Sequence, residues 1–338
     1  MTRRLIGVTL IALAACLAIL TPMLAFTPVG AHLFNQWTQG AFTMTPIPLS
    51  QLTFLSLPKP SSGLCEQQAD GDIPPLPIPA ARGKPPNVSA TAAYLLDTDT
   101  DLTLADVNGE EPLPMASTTK IMTAVIAIET ADLDQLVPIH QDAIDEVTQN
   151  QGSSAQLVVG DKIPLRYLLY GLLLPSGDDA AVAIADAVGG TTRHFVSIMN
   201  LFAYRLHLFE THYANPDGLP ASDHHTSAYD LARLARCAMT LPFFAQIVQT
   251  PQYVLPANGL HHRYTWKTTN QLLSQYVGAT GIKTGTTPEA GFCLVFSAMR
   301  NGRHLIGVVL HSTGEARRFA DARGLLDWGF GLLRVASG

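Results

Sequence analysis

Phe292-Cys293-Leu294-Val295-Phe296-Ser297-Ala298 and His304-Leu305-Ile306-Gly307-Val308-Val309 are two apolar runs whose short link contains Asn301-Gly302. Each run has the length of a strand, and Asn-Gly is a strong local signal for a two-residue hairpin turn. Working outward, residues 93–97 and 102–107 read as a second hairpin, turned by a segment rich in Asp and Thr. Between the two hairpins the apolar period is helical. Residues 117–130 are apolar on nearly every side, which places that helix inside a domain rather than on its surface. Residues 164–174 read as a short helix opened by Pro164 and halted by Pro175. Residues 179–188 read as another, closed by Gly189 and Gly190, and 192–208 and 227–239 repeat apolar residues at helical spacing. An amphipathic helix over 315–333 ends the pattern. Strands at both ends enclosing helices predict an α/β (α+β) fold. Its antiparallel sheet joins N- and C-terminal strands, with the central helices packed to one side.

The chain has 338 residues, with 21 Lys and Arg against 27 Asp and Glu, a net charge of −6. Without a cationic excess, nucleic-acid binding is a poor reading. The composition is 47% hydrophobic and 14% charged, too apolar for a disordered chain. Part of that bias is the uncharged run 5–26 directly behind Arg3 and Arg4. At about 1.5 Å per residue such a run covers roughly 33 Å, enough to cross a bilayer core of about 30 Å. Its length favours an uncleaved N-terminal membrane anchor over a cleaved signal, and the two arginines set the N-terminus inside. Leu13-Ala14-Ala15-Cys16 also resembles a bacterial lipoprotein cleavage box. All three readings of residues 1–26 export the rest of the chain, and the lack of a second comparable run excludes multi-pass transport.

Residues 27–89 hold proline after proline, from Pro28 to Pro86, with few periodic apolar stretches, and read as an extended stalk. A single domain is expected over 90–338. Export permits a disulfide among Cys65, Cys237 and Cys293, but buried free thiols are the expectation for Cys237 and Cys293. No compact Cys-x-x-Cys metal spacing occurs.

Three short segments carry chemistry. Ser117 and Lys120, in Ala116-Ser117-Thr118-Thr119-Lys120, lie one helical turn apart where the buried helix begins. A serine hydroxyl becomes nucleophilic beside a base, and a lysine whose pKa is lowered by burial can be that base. Alone the pair reads more readily as an N-cap serine with a solvated lysine; the apolar run behind Lys120 is what favours chemistry. Pro175-Ser176-Gly177-Asp178-Asp179 would on its own be a helix-capping turn. Gly281-Ile282-Lys283-Thr284-Gly285-Thr286 would on its own be an edge strand guarded by lysine.

In this order, at separations of 59 and 107 residues, the three segments resemble the Ser-x-x-Lys, Ser-x-Asn and Lys-Thr-Gly motifs of the serine-type D-alanyl-D-alanine carboxypeptidases. These are low-molecular-weight penicillin-binding proteins related to class A β-lactamases. The likeness runs over residues 90–332 and includes the nucleophile segment 116–124, Asn215-Pro216-Asp217-Gly218-Leu219 and the flanks 269–273 and 290–293. It implies a β-lactamase/DD-transpeptidase-like fold with helices on both faces of the sheet and a central helical subdomain. It also implies removal of the terminal D-alanine from peptidoglycan stem pentapeptides through an acyl-serine. Ser117 would be the nucleophile, Lys120 its base, and Ser176 the relay that protonates the leaving amine. Lys283 and Thr284 would hold the substrate carboxylate, and the backbone N–H groups of Ser117 and Thr286 would form the oxyanion hole. No metal or cofactor is implied. β-Lactams would acylate the same serine, and a monomer in the bacterial cell envelope, outside the cytoplasm, is expected.

Asp178 departs from the pattern by standing at the usual asparagine position among the substrate-binding residues. A carboxylate accepts but does not donate, and it favours ammonium at Lys120. Asp178→Asn is therefore expected to keep or improve acylation. The alternatives are a DD-endopeptidase acting on cross-links, a class A-like β-lactamase and a non-catalytic cell-wall binder. Glu210, the only glutamate between Asp178 and Lys283, lacks the surroundings a β-lactamase needs, so release of bound β-lactam should be slow. His224 and His225 resemble metal ligands, but neighbours in sequence do not share a face.

Overall fold

A computed structural model describes residues 84–336, so the anchor or signal at 1–26 and the stalk up to residue 83 lie outside the described residues. Along the chain come β1 (Ala92–Asp97), β2 (Leu102–Val107), a 3-10 turn (Ala116–Thr119) and α1 (Lys120–Thr130). Next are β3 (Leu136–Pro138), α2 (Gln141–Asn150), β4 (Lys162–Pro164), α3 (Leu165–Leu173), α4 (Asp178–Gly189) and α5 (Thr192–Arg205). They are followed by α6 (Ala228–Thr240), α7 (Pro242–Val248), β5 (Gln252–Leu255), β6 (Tyr264–Lys267) and α8 (Leu272–Gln275). The described chain closes with β7 (Ala279–Thr287), β8 (Gly291–Arg300), β9 (Arg303–Ser312) and α9 (Glu315–Ala336).

Asn301 and Gly302 take φ of 51° and 75°, the left-handed pair that a tight hairpin turn demands, and β8 returns as β9 with Arg300 opposite Arg303. β1 then pairs antiparallel with β9, Leu95 opposite Gly307, which joins the two ends of the domain. The sheet order is β2-β1-β9-β8-β7, leaving β7 at one edge.

Alternation along the strands gives the sheet two buried faces. On one, Leu95, Leu294, Phe296, Leu305 and Val309 pack against Phe319, Ala322, Leu325, Leu326 and Phe330 of α9. Val88 packs on this core and Ser89 donates to Asp321, so close packing begins slightly before residue 90. On the other face, Tyr94 meets Tyr229 of α6 edge-on at 5.4 Å. Helices thus cover both faces, as the resemblance implied, with α9 shielding the second apolar face. Truncating a side chain such as Phe296 to alanine would cost about 3–5 kcal/mol.

α1 is buried along almost its whole length, as its continuous apolar sequence requires. Pro164 sits at the N-cap of α3 rather than within its first turn. The short β3–β4 and β5–β6 ribbons and α2 extend the strand and helix inventory beyond the periodic segments, because three- and four-residue strands are too short to show a period. Cys293 is a buried free thiol as expected, but Cys237 is disulfide-bonded. Spacing along the chain carries no information on which thiols meet in space.

Candidate active site

The site forms where three parts of the chain meet: the turn leading into α1, the turn between α3 and α4, and edge strand β7. The 3-10 turn rolls straight into α1, which sets Ser117 and Lys120 on one side and lets Lys120 Nζ donate to Ser117 Oγ at 2.9 Å. Lys120 is fully buried, whereas Ser117 is half-buried. Ala116 and Ser176 both hold positive φ, 47° and 69°, without being glycine. Such conformations persist only where the surroundings impose them, and they flank the nucleophile here.

Gly218 explains part of that imposition. Its φ is +96°, and a Cβ there would lie 2.0 Å from the Ala116 oxygen and 2.8 Å from Ser117 N. The turn that carries it is fixed by Asn215, whose Oδ1 accepts from Gly218 N and whose Nδ2 donates to the Leu219 oxygen. β7 also approaches this turn, less tightly: a Cβ at Gly285 would lie 3.1 Å from Ser117 N. That approach sets Thr286 next to the nucleophile turn.

Ser176 and Lys283 are brought together directly, with Lys283 Nζ donating to Ser176 Oγ and to the Thr284 oxygen, each at 2.8 Å. Lys283 is 1% exposed. Burial, reinforced by the nearby Lys120 charge, holds its amine well below the usual lysine range. Thr284 Oγ1 lies 2.5 Å from Thr269 Oγ1. Lys283 and Thr284 are therefore buried and engaged within the protein. Thr286 is exposed, and its Oγ1 accepts from Arg318 Nη1 at 2.8 Å while that guanidinium also donates to the Gly285 oxygen. Arg318 comes from α9, where the sequence shows one arginine among several and gives no sign that it faces the site.

Asp178 is also buried. Its Oδ1 accepts from Lys120 Nζ at 2.5 Å and its Oδ2 from Ser153 N at 2.7 Å. Asp179 anchors the same loop, accepting from Ser154 Oγ and from the backbone of Ala155 and Leu157. Burial raises its carboxyl above the usual range, opposed by those hydrogen bonds. Asp217 gives its backbone oxygen to Lys120 at 2.6 Å, and burial pushes its own carboxyl up to about 7.

His224 is a structural residue. Ala214 N donates to its Nδ1, leaving Nε2–H to donate to Thr119 Oγ1 at 2.8 Å, and burial lowers its pKa to about 4. Among the described residues no group of three His, Cys, Asp or Glu is placed to hold a metal ion. Trp266 is buried, its indole donating to the Ala155 oxygen, while Glu210 is exposed.

A serine whose Oγ meets a buried lysine, beside a second serine–lysine pair and an edge strand, can carry out acyl transfer. Comparisons with known proteins agree. The family model described as D-alanyl-D-alanine carboxypeptidase, peptidase S11, matches residues 80–314. The D-alanyl-D-alanine carboxypeptidase of Streptomyces sp. (strain K15) is 40% identical over 266 residues, covering 75% of this chain and 91% of the relative. DacD of Escherichia coli (strain K12), also named a D-alanyl-D-alanine carboxypeptidase, is 36% identical over 73% of this chain, which spans 64% of that protein. A D-alanyl-D-alanine endopeptidase of Pseudomonas aeruginosa is 32% identical over 71% of the chain. The crystal structure of the Streptomyces K15 DD-transpeptidase superposes with a TM-score of 0.71 at 38% identity, covering 74% of this chain and all of that one. With its nucleophile turn, serine–lysine pair and edge strand in place, the chain belongs to the D-alanyl-D-alanine carboxypeptidase family, peptidase S11.

Proposed function

We propose that this protein is a serine-type D-alanyl-D-alanine carboxypeptidase, removing the terminal D-alanine from peptidoglycan stem pentapeptides through an acyl-Ser117 intermediate. The observation that carries the reading is the contact of Ser117 Oγ with Lys120 Nζ at 2.9 Å, with β7 passing close beside the nucleophile. Ser117 attacks the carbonyl between the two D-alanines, and its proton passes to Lys120. β7 is an edge strand, so the side of it without a strand neighbour would align an extended peptide beside Ser117. The N–H groups of Ser117 and Thr286 stabilise the oxyanion, where one donor is typically worth about 2.7–4 kcal/mol. Ser176, polarised by Lys283, passes a proton to the departing amine. The buried Arg318 adds positive potential behind Thr286, at the end of the cleft that receives the substrate's terminal carboxylate.

β-Lactams acylate the same serine in this reading. An N-terminal anchor at residues 1–26 and the proline-rich segment behind it would hold the site outside the membrane, as a monomer over the cell wall. The test is labelling of the full chain by a fluorescent penicillin, with Ser117→Ala as control. Labelling confined to the wild type, together with free D-alanine released from pentapeptide muropeptides, is expected. Shortened cross-links in place of free D-alanine would instead make it an endopeptidase.

A further inference from the structure

Lys120 Nζ is enclosed by three acceptors: Ser117 Oγ at 2.9 Å, Asp178 Oδ1 at 2.5 Å and the Asp217 backbone oxygen at 2.6 Å. Three acceptors match the three N–H donors of an ammonium and leave no lone pair aimed at Ser117. In this resting geometry Nζ is a donor to all three. Asp178 is its ionic partner and is itself 2% exposed. Both of its oxygens accept, one from Lys120 and one from Ser153 N. An asparagine there would lose one of the two contacts, because its amide nitrogen would meet a donor at one position or the other.

Apart from Ser117, the other described titratable groups around the pair make no side-chain hydrogen bond to Lys120 Nζ. Asp217 meets Nζ through its backbone oxygen, and its buried carboxyl, with a pKa pushed up to about 7, lies within the field of both partners. Glu146 feels the Asp178 charge, and burial raises its pKa. Lys283 is held toward its neutral form and His224 is neutral above about pH 4. Asp178 is the carboxylate in direct contact with Nζ.

We propose that Asp178 is a positioning residue and proton acceptor for Lys120, so that Ser117, Lys120 and Asp178 form a relay. As Ser117 Oγ attacks, a proton moves from Lys120 Nζ to Asp178 Oδ1 and the Ser117 proton moves to Lys120 Nζ. The Oγ–C bond forms and the carbonyl π pair moves onto oxygen. When the C–N bond breaks, the proton on Lys120 passes by way of Ser176 to the leaving nitrogen, and Asp178 returns its proton to Lys120. No proton is exchanged with solvent. This inference rests on Ser117 being the acylated residue, and it reverses the expectation that Asp178→Asn keeps or improves acylation.

The experiment tracks acylation of the full chain by a fluorescent penicillin, at limiting drug, in mixtures of light and heavy water. The wild type should give a bowed dependence on deuterium fraction, the signature of more than one proton in flight. Asp178→Asn should be slower by roughly a hundredfold, with a linear dependence. Asp178→Asn at or above the wild-type rate would overturn the relay. So would a slower variant whose curve bows as before, which would make Asp178 a packing residue only. If the variant does not fold, a linear wild-type curve alone overturns the proposal. Wild-type protein that is never acylated at Ser117 would remove the relay together with the carboxypeptidase reading, whereas normal acylation with a linear curve removes only the relay.

Discussion

Lys283 Nζ donates to Ser176 Oγ across 2.8 Å, joining residues 107 positions apart in a buried contact between edge strand β7 and the turn before α4. Burial holds the Lys283 amine well below the usual lysine range, and its contact keeps the Ser176 hydroxyl oriented. Ser176→Ala should therefore slow acylation by roughly a hundredfold or more while the domain stays folded. The second-order rate of penicillin labelling measures it, and a wild-type rate would take Ser176 out of the mechanism.

Gly218→Ala is expected to displace the nucleophile. The added methyl would lie 2.0 Å from the Ala116 oxygen, so the turn carrying Ser117 must shift. A displacement near 1 Å is enough to cost about a hundredfold in rate. Labelling kinetics together with a melting curve separate a displaced nucleophile from an unfolded domain.

Asp217 makes stability depend on pH in a defined direction. Its carboxyl is raised to about 7 in the folded protein from 3.8, chiefly by burial, so between those values the folded state binds more protons than the unfolded. Its contribution is complete at low pH and is lost as the pH rises through about 7. Asp217→Asn keeps the acceptor for Leu219 N and removes the titration. The variant should be more stable than the wild type above pH 7, by roughly 2–4 kcal/mol, with the difference shrinking toward pH 4. Denaturant midpoints across that range would show it; parallel profiles would contradict it.

Asp179 anchors residues 153–157 through three hydrogen bonds, to Ser154 Oγ, Ala155 N and Leu157 N. Asp179→Ala leaves the buried N–H groups of Ala155 and Leu157 unpaired and should destabilise the domain by about 2–4 kcal/mol. The same loop supplies Ser153 N to Asp178, so the labelling rate should fall as well. Unchanged stability would mean that water replaces the carboxylate.

Much of this architecture was legible before any tertiary contact was known. Strands β8 and β9 announce themselves by apolar runs around Asn301-Gly302, and α1 by an apolar sequence that no surface helix carries. The short ribbons β3–β4 and β5–β6 were not legible, since they are set by tertiary pairing rather than by period. Ser117 and Lys120 could be paired because a helical turn fixes residues three apart. Asp179, Asp217 and Arg318 could not be singled out, because nothing local distinguishes a buried acid or guanidinium from a solvated one.

By itself the sequence determined the local periods, the hairpin turn and the one-turn spacing of Ser117 and Lys120, all of which depend on backbone geometry over a few residues. Only the tertiary structure decided that Lys283 reaches Ser176, that Asp178 meets Lys120 and Ser153, and that Arg318 meets Thr286. Those contacts bring together residues distant along the chain. Their geometry comes from how the sheet and helices pack, and burial then sets the charge that Lys283 and Asp217 carry.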